Sequence, residues 1–269
     1  MKNVWIYRML SAAAAAGTLR KGYTLWAALL TGLGVFSGIN LLYVLFWIGV
    51  AQTVDDSKPI QEQKKIYRLG VADIAGTLCS YAHVHTELSG EELLPKDRRF
   101  VLVCNHRAGF DPVVTANVLR AYNLAFISKP SNLMIPLIAK LAYGDGFVPI
   151  NRENDREALK SILQAVDYLK RDLCSIAVYP EGTRTKTGRL LPFHAGTFKI
   201  AQKAKVPVAV AAIQGTENVR RNFPFRRTDV KLDILELIPA EEVTATNTQE
   251  LSARCRNRIA EHLGEEVEA

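Results

Sequence analysis

A histidine and an aspartate stand close together in the segment Asn105-His-Arg-Ala-Gly-Phe-Asp111. An imidazole that is held by a carboxylate can take a proton from a hydroxyl group, as a general base does. On one continuous helix the two side chains would point about 140° apart, since each residue turns by about 100°. We therefore predict that the segment forms a turn in which Asp111 holds the ring of His106, the base. An ordinary loop histidine and a helix-capping aspartate followed by Pro112 are equally compatible with the segment.

A second cluster, Tyr179-Pro-Glu-Gly-Thr-Arg184, follows another apolar run. Gly182 permits a close approach of the backbone, and the planar guanidinium of Arg184 suits a phosphate group. Glu181 is expected either to bind a substrate hydroxyl or to brace Arg184. A surface turn with a local ion pair is the ordinary alternative. Together the two clusters suggest acyl transfer to a phosphorylated alcohol.

The elements that must position these clusters alternate along the chain. Apolar runs typical of strands cover residues 100–104, 173–179, 206–213 and 230–237. Helical periods cover residues 112–121, 153–170, 196–205 and 251–263. Strands that alternate with helices predict an α/β domain at 81–269, with a central, mostly parallel sheet flanked by helices. Both clusters follow strands, and the carboxyl ends of strands are where ligands bind in such sheets.

Residues 1–80 have a different composition. Residues 22–54 carry no formal charge, and the apolar segment at about 24–52 exceeds the roughly 20 residues needed to cross a bilayer. Several glycines interrupt it, so a tilted spanning helix and a bent hairpin in one leaflet both fit. Apolar residues recur at helical spacing from Ile66 to Leu78, which indicates an amphipathic helix. We predict that residues 1–80 are N-terminal membrane-associating helices.

Four blocks of sequence resemble the glycerolipid acyltransferase family, whose best-known members are the 1-acyl-glycerol-3-phosphate acyltransferases. The blocks are Asn105 to Asp111, Gly146-Phe-Val-Pro-Ile-Asn-Arg152, Glu181-Gly-Thr-Arg184 and Val206-Pro-Val208, in the order and at the spacing of that family. The resemblance covers roughly residues 81–237. It implies that His106 is the general base and Asp111 its partner. It also implies a set of substrate-binding residues: Lys129, Arg152, Glu181, Gly182, Thr183 and Arg184.

The resemblance further implies a reaction. A fatty acyl group would move from a thioester donor to the 2-hydroxyl of lysophosphatidic acid, giving phosphatidic acid. The donor, acyl-CoA or acyl-carrier protein, would be consumed as a substrate, with no metal and no bound cofactor. The catalytic domain would face the cytoplasm and contact membrane lipid. The alternatives are a different lysolipid acceptor, a catalytically silent membrane protein that binds anionic lipid, and a serine or thiol hydrolase.

The net charge of +7 favours anionic partners, but the basic residues are scattered and form no helix typical of nucleic-acid binding. No nucleic-acid partner is therefore expected. The four cysteines have neither close pairing nor metal-ligand spacing, and most lie in apolar patterns. Four arginines flank Phe223-Pro-Phe225. That mixture fits contact with anionic lipid headgroups and fits a solvated loop equally well.

Overall fold

The computed structural model describes residues 2–130, 136–151, 154–185 and 188–265. In the N-terminal region it forms three helices: α1 (Lys2–Arg20), α2 (Leu25–Ala51) and α3 (Lys65–Tyr81). Strands and helices then alternate: β1 (Val84–Ser89), β2 (Val101–Cys104), α4 (Asp111–Val118), β3 (Leu124–Ser128), α5 (Pro136–Gly144), β4 (Val148–Pro149), α6 (Asp155–Lys170) and β5 (Ser175–Val178). The remaining elements are α7 (Lys199–Ala204), β6 (Val208–Gln214), α8 (Val219–Asn222), β7 (Thr228–Ile238), α9 (Ala240–Ala245) and α10 (Thr248–Leu263).

The strands form one sheet in the order β1-β7-β6-β2-β5-β3-β4. The pairs among β6, β2, β5, β3 and β4 are all parallel. β7 runs antiparallel to β6, while β1 is parallel to β7. The prediction of a mostly parallel α/β sheet is therefore confirmed, and the carboxyl ends of its five parallel strands meet at one edge.

Helices cover both faces of the sheet, because its central strands are apolar on both sides. Val101 and Val103 of β2 face a core that includes residues of α6, α7 and α10. Leu102 and Cys104 point to the opposite core, which includes residues of α3 and α4. The strands predicted around residues 100–104, 173–179, 206–213 and 230–237 correspond to β2, β5, β6 and β7. The sequence interpretation did not identify β3, β4, α5, α8 and α9.

The N-terminal helices α1 and α2 pack against each other. A Cβ placed on Gly32 would lie 3.2 Å from the carbonyl oxygen of Ser11 and 3.3 Å from the Cβ of Ala15, so the glycine allows a close approach. α2 is one continuous helix of 27 residues in spite of its glycines. The bend therefore lies not within residues 25–51 but between α1 and α2.

By length and composition, α2 can cross a membrane, and within the described residues it is the helix that meets that test. A core helix would meet the same test, but only 6% of the apolar window of α2 is buried. Large apolar side chains on both N-terminal helices are exposed, among them Trp5, Trp26, Leu30, Leu42 and Phe46. Exposed apolar surface of this extent is typical of a membrane-contacting element.

The C-terminal half of α2 lies along α3 in the antiparallel sense. The Tyr43 hydroxyl donates to Asp73 at 2.8 Å, and the Tyr81 hydroxyl donates to Asn40 at 2.5 Å. Trp47 packs against Gly70, where a Cβ would clash with its ring at 2.7 Å. Trp47 and Ala51 also form a small apolar cluster with Tyr67 and with Leu141 of α5. These contacts attach the apolar helices to the α/β part of the chain.

Candidate active site

His106 and Asp111 form a hydrogen-bonded pair just beyond the carboxyl end of β2. The Nδ1 atom of His106 lies 2.7 Å from Oδ2 of Asp111. The Asp111 side chain is completely buried, and that of His106 is 18% exposed. The predicted turn brings them together, with the Asp111 amide donating to the Ala108 carbonyl at 3.1 Å. A carboxylate bonded at Nδ1 fixes the orientation of the ring and leaves Nε2 as the proton acceptor.

The expectation that Asp111 caps the following helix needs a correction. α4 begins at Asp111, and Phe110 occupies the cap position without a side-chain cap bond. The carboxylate turns back into the loop, where Oδ2 also accepts the Ala108 amide at 2.8 Å. Pro112 does lie in the first turn, where a missing amide proton costs nothing. Asp111 thus orders the turn and the ring rather than the helix end.

The second oxygen of Asp111 is bound by Thr216, which follows β6. Its hydroxyl donates to Oδ1 of Asp111, and Thr216 is itself buried. With the imidazole, the Ala108 amide and the hydroxyl, a completely buried carboxylate has its hydrogen-bonding capacity met on both oxygens. Sequence reasoning did not identify Thr216, and its distance along the chain gave no signal that it would approach Asp111.

Tyr179 packs against the face of the His106 ring. The ring centroids of His106 and Tyr179 are 4.6 Å apart and the planes are inclined by 26°. The Tyr179 hydroxyl lies 3.2 Å from the hydroxyl of Thr115 in α4. Burial raises the pKa of Tyr179 well above its ordinary value, so it stays neutral and serves as a packing surface. Together Asp111 and Tyr179 restrict the imidazole from its edge and from its face.

Glu181 ties the two site loops together through their backbones. Its Oε1 accepts the amide of His106 at 2.5 Å, and its Oε2 accepts the amide of Leu191 at 3.0 Å. Only 4% of Glu181 is exposed, and burial raises its pKa, against the opposing effect of those two amides. The structure therefore gives it a different task from the predicted ones of binding a substrate hydroxyl or bracing Arg184. Both carboxylate oxygens are engaged by backbone donors.

Gly182 and Arg184 complete the turn beyond β5. Gly182 has φ of +74°, a left-handed conformation that favours glycine. The amide of Thr185 donates to the carbonyl of His106 at 3.2 Å, which holds the arginine beside the His106 turn. A Cβ on Gly109 would lie 3.4 Å from Nη1 of Arg184. Arg184 is exposed and forms no ion pair within the described residues, so its guanidinium is available to an anion.

His106 and Arg184 line one cavity of about 750 Å³, which lies in the range of roughly 300–1,000 Å³ usual for ligand pockets. Its polar residues include Lys129, Asn151 and Thr183. The rest of the wall is mostly apolar and comes from α3, α4, β3 and α5, with residues such as Val71, Leu78, Val113, Phe126 and Leu141. The cavity thus combines an imidazole, two cationic side chains and an extended apolar surface.

The remaining predicted substrate-binding residues differ in whether they line this cavity. Gly182 and Thr183 line the cavity, and so does Lys129, an exposed residue directly after β3. Glu181 is buried and is not among the residues that line the cavity. Arg152 lies outside the described residues; Asn151, its neighbour in sequence, is part of the cavity lining.

Cys104 is not a plausible nucleophile. It is buried at the end of β2, and its Sγ contacts the Asn105 side chain at 3.8 Å. Burial raises the pKa of the thiol well above its usual range, so the reactive thiolate is not formed at neutral pH. Asn105 itself has a structural role, because its side-chain amide both donates to and accepts from the backbone of Ile213 at 2.9 and 2.8 Å. A thiol-based reaction at this site is therefore disfavoured.

Comparisons with known proteins give a consistent result. A model of the family described as Acyltransferase matches residues 85–214. The 1-acyl-sn-glycerol-3-phosphate acyltransferase of Escherichia coli is 30% identical to the chain over 168 residues, which make up 61% of this chain and 67% of that protein. A chloroplastic 1-acyl-sn-glycerol-3-phosphate acyltransferase of Brassica napus is 33% identical over 197 residues, 72% of this chain and 55% of its own length.

A solved structure has the same fold. The crystal structure of the 1-acyl-sn-glycerophosphate acyltransferase of Thermotoga maritima superimposes with a TM-score of 0.63, covering 99% of this chain and 100% of the other, at 20% identity. The matched family region, 85–214, contains the His106 turn and the Arg184 turn. Thr216 lies just outside it.

Proposed function

Since the chain belongs to the acyltransferase family, we propose that it transfers a fatty acyl group from a thioester to the 2-hydroxyl of 1-acyl-glycerol-3-phosphate, producing phosphatidic acid. The observation that carries this proposal is the His106–Asp111 bond of 2.7 Å in a cavity that Arg184 also lines. Relatives named 1-acyl-sn-glycerol-3-phosphate acyltransferases support the choice of acceptor.

In this mechanism Nε2 of His106 takes the proton of the acceptor hydroxyl while its oxygen attacks the thioester carbonyl carbon. The C–S bond then breaks, the acyl group stays on the glycerol oxygen, and the proton passes from the imidazolium to the leaving thiolate. Asp111 stabilises the imidazolium that forms between the two steps. No acyl-enzyme is needed, which agrees with the buried, neutral thiol of Cys104.

The cations of the cavity position the acceptor. The guanidinium of Arg184 is placed to bind the glycerol phosphate through paired N–H donors. Lys129 lines the same cavity and supplies a second positive charge. We assign Arg152, predicted for the same role, to phosphate binding on the resemblance alone. Binding the phosphate holds the free hydroxyl near Nε2, so it contributes to the rate by orientation.

The apolar surfaces account for the rest of the substrates. The wall formed by residues such as Val71 and Phe126 is suited to an acyl chain. The exposed helices α1 and α2 keep the protein at the bilayer, where the acceptor and the product reside. The thioester arrives from water, carried by coenzyme A or by acyl-carrier protein. This arrangement requires the α/β part to lie on the cytoplasmic face.

A panel of acceptors tests the proposal. The full-length protein is incubated with oleoyl-CoA and with 1-oleoyl-glycerol-3-phosphate, 1-oleoyl-glycerophosphocholine or 1-oleoyl-glycerol, and the products are identified by mass. Phosphatidic acid should form fastest. The acceptor without phosphate should react about tenfold to hundredfold more slowly, because it loses charge-assisted hydrogen bonds worth roughly 1.5–3 kcal/mol.

The other outcomes separate the alternatives. Faster acylation of the phosphocholine lipid would assign the site to another lysolipid. Release of free oleate without a lipid product would indicate a hydrolase, and no turnover of any acceptor would indicate a silent lipid-binding protein. The same acyl chain presented on acyl-carrier protein identifies the preferred donor. An exposed histidine outside the cavity offers a matched control, since His85→Ala should leave the product pattern and rate unchanged.

A further inference from the structure

The connection between β6 and β7 carries a group of residues that the proposed reaction does not use. We call residues 219–227 the arginine loop; its charged residues are Arg220, Arg221, Arg226 and Arg227. It contains no acidic residue, and all four arginines are exposed. At its centre Phe223 is 56% exposed and Phe225 is 92% exposed. Two exposed aromatic rings between two pairs of cations form a surface that is both apolar and strongly positive.

Little of this charge is neutralised within the protein. Arg227 pairs with Asp229 at 2.6 Å, and Arg221 donates to the Asn218 side chain at 3.0 Å. In the described part of the chain, Arg220 and Arg226 form no ion pair. An isolated exposed phenylalanine is ordinary, but a pair that lies beside the unneutralised Arg220 and Arg226 favours a partner with anionic and apolar parts.

The arginine loop lies at the edge of the sheet that holds the candidate active site. β6 is parallel to β2, so their carboxyl ends, which lead to Thr216 and His106, share that edge. β7 returns antiparallel to β6, which places both ends of the loop there. The hydroxyl bond between Thr216 and Asp111 connects the start of this connection directly to the catalytic pair.

The exposed N-terminal half of α2 extends from the same edge of the sheet. The Thr228 amide, which follows the loop, donates at 3.0 Å to the carbonyl of His83, two residues after the end of α3. Because α2 runs antiparallel to α3, with Asn40 bonded to Tyr81 at that end, residues 25–35 extend beyond α3. Eleven helical residues add about 16 Å of length. The exposed apolar half of α2 and the arginine loop thus lie at the same end of α3.

We propose that the arginine loop is a second membrane contact, in which its four arginines bind the phosphates of anionic lipid headgroups and Phe223 and Phe225 enter the bilayer interface. Arginine pairs with phosphate through parallel N–H donors, and basic clusters beside a membrane segment are attracted to anionic lipid. An acidic protein would satisfy the arginines but not the two phenylalanines. The position beside α2 favours the bilayer, and it would hold the catalytic edge against the lipid surface.

A labelling experiment on the full-length protein tests this proposal. All four native cysteines are buried, so a cysteine introduced by Phe225→Cys reacts selectively with a water-soluble maleimide. The protein is reconstituted in vesicles of phosphatidylcholine or of an equal mixture of phosphatidylcholine and phosphatidylglycerol. Asp97→Cys is the matched control, because Asp97 is exposed and precedes β2 at the opposite edge of the sheet.

We expect labelling at position 225 to be roughly fivefold or more slower on the anionic vesicles than on the neutral ones, because lipid phosphates draw the loop to the surface. Raising the salt to about 1 M, where the Debye length is about 3 Å, should remove most of this protection. Labelling at position 97 should be equal on both vesicles. Equal labelling at position 225 on both vesicles would overturn the proposal.

Two variants that each lose four positive charges show whether the slower labelling on anionic vesicles depends on the arginine loop. In the Phe225→Cys background, Arg220→Gln, Arg221→Gln, Arg226→Gln and Arg227→Gln together should abolish the protection. The control removes the same four charges near the opposite edge, through Lys96→Gln, Arg98→Gln, Lys203→Gln and Lys205→Gln, and should retain it. Activity on detergent-dispersed substrates shows that each variant is folded.

Equal labelling that is slow on both vesicles would mean that the phenylalanines enter the bilayer without recognition of headgroup charge. One further result would also overturn the proposal. Protection that arises only when an acidic acyl-carrier protein is added would assign the loop to a protein partner. The test does not depend on which lysolipid is the acceptor, because no substrate is present during labelling.

Discussion

Thr216 donates its hydroxyl to Oδ1 of Asp111, while Oδ2 of the same carboxylate holds the ring of His106. The two partners come from different strand ends, since Asp111 follows β2 and Thr216 follows β6. The buried carboxylate therefore has its orientation fixed from both sides. A general base whose partner is held in this way keeps its ring in position through the reaction.

Replacing Thr216 tests this arrangement. Thr216→Val keeps the shape of the side chain but leaves Oδ1 of a completely buried Asp111 without its donor, a loss worth about 1–3 kcal/mol. We expect kcat to fall about tenfold or more and the acceptor KM to change little, because the phosphate contacts are untouched. Steady-state kinetics measure both values. Thr216→Ser restores the hydroxyl and should recover most of the rate; equal losses in both variants would show that only packing matters.

Arg184 is expected to act on substrate affinity. With 1-acyl-glycerol-3-phosphate as the acceptor, Arg184→Ala should raise the acceptor KM at least about tenfold, because a charge-assisted contact is lost. Arg184→Lys should recover little of the affinity, since an ammonium lacks the paired donors. Arg258→Ala, in an exposed ion pair with Glu261, is the matched control and should behave as the unaltered enzyme. An unchanged acceptor KM, with the loss confined to the thioester, would contradict phosphate binding by Arg184.

Glu265 binds residues 188–190, the segment that follows the Arg184 turn, and links it to Arg107. Its Oε1 lies 2.5 Å from Nη2 of Arg107, and its Oε2 accepts the Leu190 amide at 2.6 Å. Arg107 also donates to the carbonyl of Gly188. Both charged side chains are mostly buried. This pair therefore connects residues 188–190 to Arg107, the neighbour of His106.

Glu265→Ala should loosen that segment. We expect trypsin to cleave after Arg189 about tenfold faster, which corresponds to about 1.4 kcal/mol of lost local stability. Glu265→Gln keeps an acceptor for Leu190 and should show a smaller effect. Glu261→Ala changes an exposed glutamate in the same C-terminal region and should leave the cleavage rate unchanged. Timed digestion with mass spectrometry measures the rates; identical rates in the two alanine variants would contradict the proposed tether.

Glu181 predicts a dependence of stability on pH. Burial raises the pKa of Glu181 above its ordinary value of 4.5, so the folded protein binds that proton more tightly than the unfolded chain. Its contribution to stability is therefore full below pH 4.5 and is lost as the pH rises through the raised folded pKa. Glu181→Gln cannot ionise. The Tm of the unaltered protein should fall relative to that of the variant as the pH rises through this window.

Thermal unfolding of both proteins from pH 4.5 to pH 7 supplies the measurement, with the lower limit set by the ordinary pKa of the carboxyl. The amide of the variant also turns a donor towards one backbone N–H, which costs about 1–3 kcal/mol at every pH. The informative quantity is therefore the change with pH of the difference in Tm between the two proteins. If this Tm difference stays constant, or if the Tm of the unaltered protein rises relative to that of the variant as the pH rises, the raised pKa of Glu181 is contradicted.

The sequence predicts the catalytic pair because both members lie within one short segment. The strand that ends at Cys104 and the proline at position 112 bound the turn, and an alternative on one helix fails on geometry. Apolar runs in the sequence also predict four of the strands, β2, β5, β6 and β7. β4 has two residues, which is too short for periodicity to separate from a loop, and the apolar run within β3 (Leu124–Ser128) was not recognised as a strand.

The partners of that pair could not be predicted in the same way. Thr216 reaches Asp111 only because the sheet order places β6 beside β2, and one sequence does not reveal strand order. Glu181 was correctly expected near the site, but its contacts with the amides of His106 and Leu191 depend on how two loops cross. Local motifs therefore indicated the chemistry, while the contacts that hold it in place come from the tertiary structure.

The central claim is that His106, held by Asp111, removes the proton from the acceptor hydroxyl. The most direct test is the single-turnover rate of acyl transfer to 1-acyl-glycerol-3-phosphate by His106→Ala, with both substrates saturating and folding verified by thermal unfolding. We predict a rate roughly 10²–10⁴-fold below that of the unaltered enzyme, the usual contribution of a general base. A folded His106→Ala protein that retains the normal rate would contradict the account.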